Sequence, residues 1–420
     1  MTIRDENEQI EYDLEGNIPR KVGAIVAGLD IGTTKVCCII GEMTNEGIDI
    51  IGIGTTLSKG VKRGEIVNIG ATVDAIQKAV GQAEIQAGCS VDRVYVGIAG
   101  NHIKGFNSPG ILALNGREIT QQDINDVIRA ASTIKVSGNQ LIVHVLPQEY
   151  MVDDNTGIQD ALGMSGVRLV TNVHIVTADE TAVQNLHACC KKAGLQVAEI
   201  VLESIASARS VMNHDEMEMG VALIDIGGGT TDVAIFCDGT IRYTHEIGLG
   251  GHNLTSDLSV GLRTTLHDAE QLKEEYGRCI PNSVKSNCVV EVPDIGEREP
   301  QTVTQRILVE ILEARIVEIL DMVNGKLVES GLKNKINGGV VITGGTALLA
   351  DLVDLAEQIF DLPVRIGYPV NVKGRVEDIY TPRYTTGAGL ALYGWEQEQK
   401  EEREEPSVFT RARDMLKKMI

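Results

Sequence analysis

Two short stretches of this chain carry the residue types that bind phosphate. Leu29-Asp30-Ile31-Gly32-Thr33-Thr34-Lys35-Val36 returns, about 195 residues later, as Ile224-Asp225-Ile226-Gly227-Gly228-Gly229-Thr230-Thr231-Asp232-Val233. In each copy an apolar run ends in Asp and turns through glycine and threonine into the next apolar run, the pattern of two paired strands. Glycine lets the backbone approach a phosphate with no Cβ in the way, and successive N–H groups in such a turn form an anion-binding nest to which threonine hydroxyls add donors. The carboxylates of Asp30 and Asp225 repel phosphate, so the chemistry calls for a divalent cation, Mg²⁺, held partly through water. A single Gly-Gly-Thr hairpin is equally well an ordinary turn. Two matched copies, with a further glycine pair in Val341-Ile342-Thr343-Gly344-Gly345-Thr346, favour two loops closing on one metal–nucleotide complex from opposite sides. Neither a Walker A sequence nor G-x-G-x-x-G is present, which removes the main support for P-loop and dinucleotide-binding readings.

The elements that must position these loops alternate along the chain. KVGAIVAGLDIGTTKVCCIIGEM and IDIIGIGTTLSKG read as three strands, and VDAIQKAVGQAEIQAG, with apolar residues three and four apart, reads as a helix. From VDRVYVGIAGNHIKGF to GVRLVTNVHIVTAD, short strands surround one helix capped by Thr120, the outline of a small inserted α+β unit. A helix over VAEIVLESIASARSVMNH leads to the second hairpin set, followed by helices around DAEQLKEEYG and TVTQRILVEILEARIVEILDMVNGKLVES. The 420 residues, 43% hydrophobic and 23% charged, suit two to four globular units. With 3% aromatics, the aliphatic residues must build the cores. A formal charge of −21 argues against a nucleic-acid partner. The eight cysteines include no C-x-x-C pair and read as reduced, buried thiols. Residues 1–21 are acidic and aperiodic, with no apolar signal core, and no run is long enough to span a membrane; a cytosolic protein with a disordered N-terminal extension is expected.

The order of first phosphate loop, inserted unit, connecting helix, second phosphate loop, VVITGGTALL and a final helix at YTTGAGLALYG resembles the actin, Hsp70 and sugar-kinase superfamily. Within it, KRGEIVNI, VYVGIAGNHI, VLPQEYMVDD, GMSGVRL and VHIVTA are similar to the FtsA family of bacterial cell-division proteins over roughly residues 22–395. The resemblance implies an α/β, actin-like fold of two similar lobes around a nucleotide cleft, with an SHS2-type subdomain in place of actin's subdomain 1B. It divides the chain into 1A at 22–93 and 173–200, the inserted 1C at 94–172, 2A at 201–246 and 321–380, 2B at 247–320, and a helix at 381–395 returning to 1A. It implies ATP and Mg²⁺ as cofactors. Asp30, Gly32, Thr33, Thr34, Lys35, Asp225, Gly227, Gly228, Gly229, Thr230, Thr231 and Asp232 would lie at the phosphates, with Asp30 and Asp225 on the metal. Gly344, Gly345 and Thr346 would lie at the adenosine, bordered by Glu270 and Lys273, which spacing alone would read as a solvated helix face.

The same resemblance places Glu203 where MreB-like relatives position the attacking water. An acid at a helix start that favours the macrodipole is the other reading, and slow ATP turnover at best is expected. The expected partners are the C-terminal tail of FtsZ on subdomain 2B, further copies of the chain in a filament, and later division proteins on the inserted subdomain. Arg315 stands where the family uses a basic residue for the FtsZ tail, although flanking Glu313 and Glu318 also suit a local helix ion pair. A PilM-like scaffold of pilus assembly shares the fold and is the alternative. A small-molecule kinase would need a catalytic Asp that the sequence does not offer, and an Hsp70-type chaperone would need a following substrate domain.

The chain ends in an acidic stretch, 396–406, read as a solvated linker or a frayed helix extension, and then Ser407 to Ile420. At 100° per residue, Val408, Phe409, Ala412, Met415, Leu416, Met419 and Ile420 fall within an arc of about 140°. Arg411, Arg413, Lys417 and Lys418 lie outside it with one acid, Asp414. This is the pattern of a helix lying in a membrane interface, each base contributing roughly 1 kcal/mol near an anionic surface. Docking on the protein's own body or on a partner is the competing use of such a helix, but the charged stretch before it argues for reach. The family ends in a membrane-targeting helix of this kind, which implies a peripheral protein on the cytoplasmic face of the inner membrane at the division site. Deleting residues 407–420 should release the protein from anionic liposomes; undiminished co-sedimentation would count against the anchor.

Overall fold

The computed structural model describes residues 23–404 apart from 135, 137, 286 and 296–298. The expected N-terminal extension and the membrane-targeting segment 407–420 lie outside the described residues.

The first lobe opens with β1 (Ile25–Ile31), β2 (Lys35–Thr44) and β3 (Gly47–Leu57), an antiparallel meander, followed by helix α1 (Ile69–Ala87) and β4 (Arg93–Ile98). Asn68 caps α1 by accepting from the Ala71 amide, and Gly88 ends it in the left-handed region at φ 73°. The chain then leaves the lobe for an inserted subdomain: β5 (Lys104–Ala113), α2 (Gln121–Ser132), β6 (Gln140–Val152), β7 (Asn155–Ile158) and β8 (Arg168–Asp179). Its sheet runs β5-β8-β6-β7, and α2 starts with a capping box in which the Thr120 hydroxyl accepts from the Asp123 amide while Asp123 accepts from the Thr120 amide. Back in the first lobe come α3 (Glu180–Lys192), β9 (Gln196–Leu202) and α4 (Glu203–Val211). The stretch VAEIVL, expected to open the connecting helix, is instead the end of β9. It pairs in parallel with β4, a partner about a hundred residues earlier, and this pairing overrides the helical spacing of its apolar residues.

The second lobe repeats the plan: β10 (Val221–Ile226), β11 (Thr231–Cys237) and β12 (Thr240–Ile247), then α5 (Gly251–Leu262), α6 (Leu266–Tyr276), the long α7 (Gln305–Glu329), β13 (Val340–Thr343), α8 (Leu352–Phe360) and β14 (Val364–Ile366). The sheet orders correspond strand for strand. The first is β3-β2-β1-β4-β9, with a two-residue strand at 373–374 on its β3 edge; the second is β12-β11-β10-β13-β14. In both, the strand that ends in the loop aspartate sits at the centre, with its antiparallel hairpin partner on one side and a parallel strand on the other. Every residue of β10 and β11 is buried, so the second hairpin grows out of a core that fixes it on both faces.

A final helix, α9 (Thr385–Glu404), returns to the first lobe and crosses α4. The crossing is close because Gly389 lies over Ala206, where a Cβ would run into the Ala206 backbone. Of the two readings of the acidic segment from 396, a solvated linker or an extension of the helix, the second holds as far as Glu404. Arg209 donates to Glu396 at 2.8 Å and Arg93 to Glu398 at 3.0 Å, so these charges are used in docking before the described chain ends.

Candidate nucleotide-binding cleft

The first loop is a tight turn in which the Gly32 amide donates to Lys35 O at 3.0 Å, leaving Thr33 and Thr34 at the tip. Asp30, at 5% exposure, closes the end of β1, and Lys35 Nζ donates to its Oδ2 at 2.9 Å. The second loop has the same closure, Gly227 N to Thr230 O at 3.0 Å. Asp225, also 5% exposed, accepts from Ser207 Oγ of α4 at 2.7 Å and from Thr386 Oγ1 of α9 at 3.3 Å. Both partners belong to elements packed with the first lobe, so this carboxylate is held from across the cleft.

The two tips meet. A Cβ on Gly228 would fall on Thr34 Oγ1, and one on Gly229 would stand 3.0 Å from the Arg63 Cα and collide with Thr33 Oγ1. Only glycine at 228 and 229 allows this approach, so the structure brings the phosphate-type residues of both repeats into one narrow space. The N-terminus of α5 supports the second loop from behind: the Gly251 amide donates to Gly227 O at 2.9 Å and the His252 amide to Gly228 O at 2.7 Å. Two carbonyls of the loop are thereby engaged on the α5 side.

The third glycine pair closes the same space. Gly344, at φ 87°, lies against Asp225 and Ile226, where a Cβ would stand 2.5 Å from Ile226 O. Thr346 Oγ1 donates to Gly227 O at 3.2 Å. Glu270 and Lys273 of α6 pair at 2.8 Å, and Lys273 Nζ also reaches Gly251 O at 3.2 Å and Thr255 Oγ1 at 2.9 Å, while Thr255 donates to Glu270. Gly345 borders Arg383. In the second lobe the loop at 227–230 and the residues assigned to adenosine are thus joined by direct contacts, through Thr346 to Gly227 and through Lys273 to Gly251.

Charge in the cleft is strongly one-sided. Burial pushes Glu203, the first residue of α4, well above the usual carboxylate range, and the Asp30, Asp232 and Asp225 charges push it further. Burial likewise raises Asp225, although its Ser207 hydrogen bond works the other way. Asp232, at 3% exposure, sits opposite Glu246, at 9%, in the β11–β12 register, and the two carboxyl groups are within hydrogen-bond reach. Neither Asp232 Oδ1 nor Glu246 Oε1 has a donor among the described residues, so a proton on one of the pair satisfies both. Burial, with Glu246 next, raises Asp232, and burial raises Glu246. Lys35 is the cation set among these acids; burial disfavours its charge, but Asp30 and Asp225 help to outweigh that and hold it above the ordinary lysine value.

This donor set fits a magnesium nucleotide. Among the described residues no group of three or more acidic, histidine or cysteine side chains is arranged to enclose a metal, so a cation here would complete its shell with phosphate oxygens and water. A glycine tip from one repeat, threonine hydroxyls from the other and a crowd of carboxylates suit a multiply charged anion neutralised by a divalent cation. Arg315 lies outside this space, on α7, where it is bidentate to Asp257 at 2.6 and 3.1 Å and also donates to Glu318. The residues from Val408 to Ile420 assigned to the membrane lie outside the described residues.

Sequence reading missed several residues that shape the cleft: Ser207, Thr386, Glu246, Gly250, Gly251 and Thr255. The glycine-dense Gly248-Leu249-Gly250-Gly251 before α5 was the available signal for a helix start pressed against a loop. The Ser207 and Thr386 contacts join segments 18 and 161 residues from Asp225, and no local pattern marks them.

Comparison with known proteins bears on the family and the fold. A family described as "Cell division protein FtsA" matches residues 222–389, and the domain described as "SHS2 domain inserted in FTSA" matches residues 100–177. The chain is 43% identical over 373 residues to the cell division protein FtsA of Pseudomonas aeruginosa, covering 89% of each chain. Among solved structures, the PilM–PilN type IV pilus biogenesis complex superposes with a TM-score of 0.65 at 14% identity, covering 90% of this chain and 99% of that one. MreB5 of Spiroplasma citri bound to ADP gives a TM-score of 0.56 at 16% identity, covering 90% and 98%. These likenesses show an actin-like fold.

The raised carboxyl groups fix a pH dependence. The folded chain holds a proton in the Asp232–Glu246 pair, and favours one on Glu203, that the unfolded chain gives up above its ordinary values of 3.8 and 4.5, so stability falls as pH rises through the folded values. Burial also raises the thiols of Cys37, Cys38, Cys190 and Cys279, which adds to the fall toward pH 9 in any variant, so the Asp232 contribution is read as the difference between wild type and variant. In melting experiments without nucleotide between about pH 7 and pH 9, Asp232→Asn should lose less stability than the wild type. Parallel slopes would show that Asp232 keeps no such proton.

Proposed function

This chain belongs to the FtsA family of cell-division proteins, and from that membership and the form of its cleft we propose that it binds Mg·ATP between its lobes and acts as a scaffold rather than as a fast enzyme. The observation that carries this reading is the contact of the two loop tips, Gly228 on Thr34 and Gly229 on Thr33. The amides and hydroxyls of 32–35 and 227–231 would hold the phosphates, Asp30 and Asp225 the hydrated metal, and Glu270, Lys273 and Gly344 to Thr346 the adenosine side. Bound magnesium neutralises the phosphate charge that these carboxylates would otherwise repel. Glu203, kept protonated without nucleotide by its buried setting, would orient water only weakly, which suits slow turnover. That MreB5 of the same fold was solved with ADP supports a nucleotide in this place.

As a division scaffold the chain would polymerise, bind the tail of FtsZ on the lobe that carries α7, and hold it at the cytoplasmic face of the membrane through 407–420, with later division proteins on the inserted subdomain. Modest affinity of one terminal helix suffices if linked copies bind as an array. Arg315 would serve the FtsZ tail by exchanging Asp257 and Glu318 for acids of the partner, a swap between equivalent ion pairs that yields a weak, reversible contact. The PilM-like alternative rests on the fold alone.

Two measurements test these assignments. In calorimetry, Gly228→Ala should weaken Mg·ATP binding by about tenfold or more, roughly 1.4 kcal/mol, because the tips can no longer touch. Gly325→Ala on α7, where a Cβ meets nothing, should bind as the wild type does; equal affinity in both variants would refute the two-loop clamp. Arg315→Ala should lose most of its affinity for an FtsZ tail peptide, and unchanged capture would return Arg315 to a purely local ion pair.

A further inference from the structure

The inserted subdomain touches both lobes. Both of its chain connections enter the first lobe, through β4 and α3. There the buried His144 of β6 takes the Leu202 amide on its Nε2 at 3.0 Å, the residue immediately before Glu203, and its ring meets Tyr393 of α9 edge-on with centroids 6.4 Å apart. On the other side, edge strand β5 lies along edge strand β12 of the second lobe, yet among the described residues no backbone ladder joins them.

Side chains make that junction. Gln148 Nε2 donates to Ile241 O at 3.0 Å and Asn107 Nδ2 to Arg242 O at 3.1 Å. His174, 1% exposed, bridges Asn107 Oδ1 at 2.7 Å and Thr244 Oγ1 at 2.9 Å, and Arg242 reaches Glu149 at 3.3 Å. Asn107 Oδ1 must accept because its amide nitrogen is already donating, so His174 Nδ1 donates and Nε2 accepts from threonine, a neutral imidazole with all its bonds made. At the root of the subdomain the Gly100 amide donates to Glu246, the residue paired with Asp232 of the second phosphate loop. The contact therefore runs from the outer edge of the second lobe to the wall of the cleft.

We propose that the inserted subdomain is a clasp across the two lobes, and that its grip on β12 and the closure of the cleft are one linked equilibrium. The lobes cannot rotate apart while a body rooted in the first holds the edge strand of the second. Because amide and imidazole side chains form the grip in place of a sheet ladder, it opens without unravelling either sheet. Linkage then makes the effect reciprocal: nucleotide in the cleft tightens the clasp, and whatever prises β5 from β12 weakens nucleotide binding. The inference rests on the reading that Mg·ATP binds between the lobes.

The test uses the full chain and an Asn107→Ala/Gln148→Ala double variant, neither residue belonging to the cleft. In the wild type, adding Mg·ATP should slow hydrogen exchange at 240–247 and 104–109; no slowing in a chain that binds the nucleotide overturns the proposal without any variant. In the double variant, exchange at 240–247 should quicken without nucleotide, and a fluorescent ATP analogue should bind at least about fivefold more weakly at equilibrium. Unaltered exchange in the core of the inserted subdomain, around Val127 and Leu169, shows that the variant is folded. Wild-type affinity in the double variant sinks the linkage alone, whereas a wild-type chain that binds no nucleotide sinks the reading of the cleft and this linkage with it.

Discussion

Five carboxyl groups from two lobes, those of Asp30, Glu203, Asp225, Asp232 and Glu246, converge around a narrow space with one lysine among them, and the rest of the structure is arranged to make that tolerable. Isolated buried charges of like sign are costly, and a protein meets the cost by protonation, by hydrogen bonds or by a bound cation. Each remedy has its place here. Asp232 and Glu246 share a register position that one proton can bridge, Asp225 takes the Ser207 and Thr386 hydroxyls, and Asp30 takes Lys35. The remaining remedy is a cation arriving with its own anion.

The fold supplies this convergence through duplication. A central strand flanked by its hairpin partner and by a parallel strand delivers an aspartate and a glycine turn to the sheet's carboxyl end, and doing so twice places two such turns face to face. What differs between the halves is what covers them. The second lobe adds the start of α5 behind its loop and α6 beside it; the first adds the inserted subdomain, which reaches back to the second at β12. The final helix then ties α4, and with it Glu203 and Ser207, to the first lobe.

Much of this was legible in the chain because it is written locally and twice. The paired Asp-x-Gly turns, the third glycine pair and the Thr120 cap are short patterns whose geometry follows from residue type. Three features escaped because their causes are remote. Residues 197–202 carry helical spacing but form a strand, since β4 offers an open edge. The acidic run after 395 reads as a solvated linker or a helix extension. What local pattern does not show is that the extension is docked, with Glu396 and Glu398 meeting Arg209 and Arg93, 187 and 305 residues away in sequence. The Asp232–Glu246 pairing depends on hairpin register, where a shift of one residue would turn either side chain to the opposite face of the sheet.

The most direct test of the central claim is a crystal structure with magnesium and a non-hydrolysable ATP analogue. One nucleotide should be found whose phosphates contact both loops, at 32–35 and 227–231, with a hydrated magnesium beside Asp30 and Asp225. A nucleotide touching one loop only, or bound elsewhere on the chain, would contradict the account.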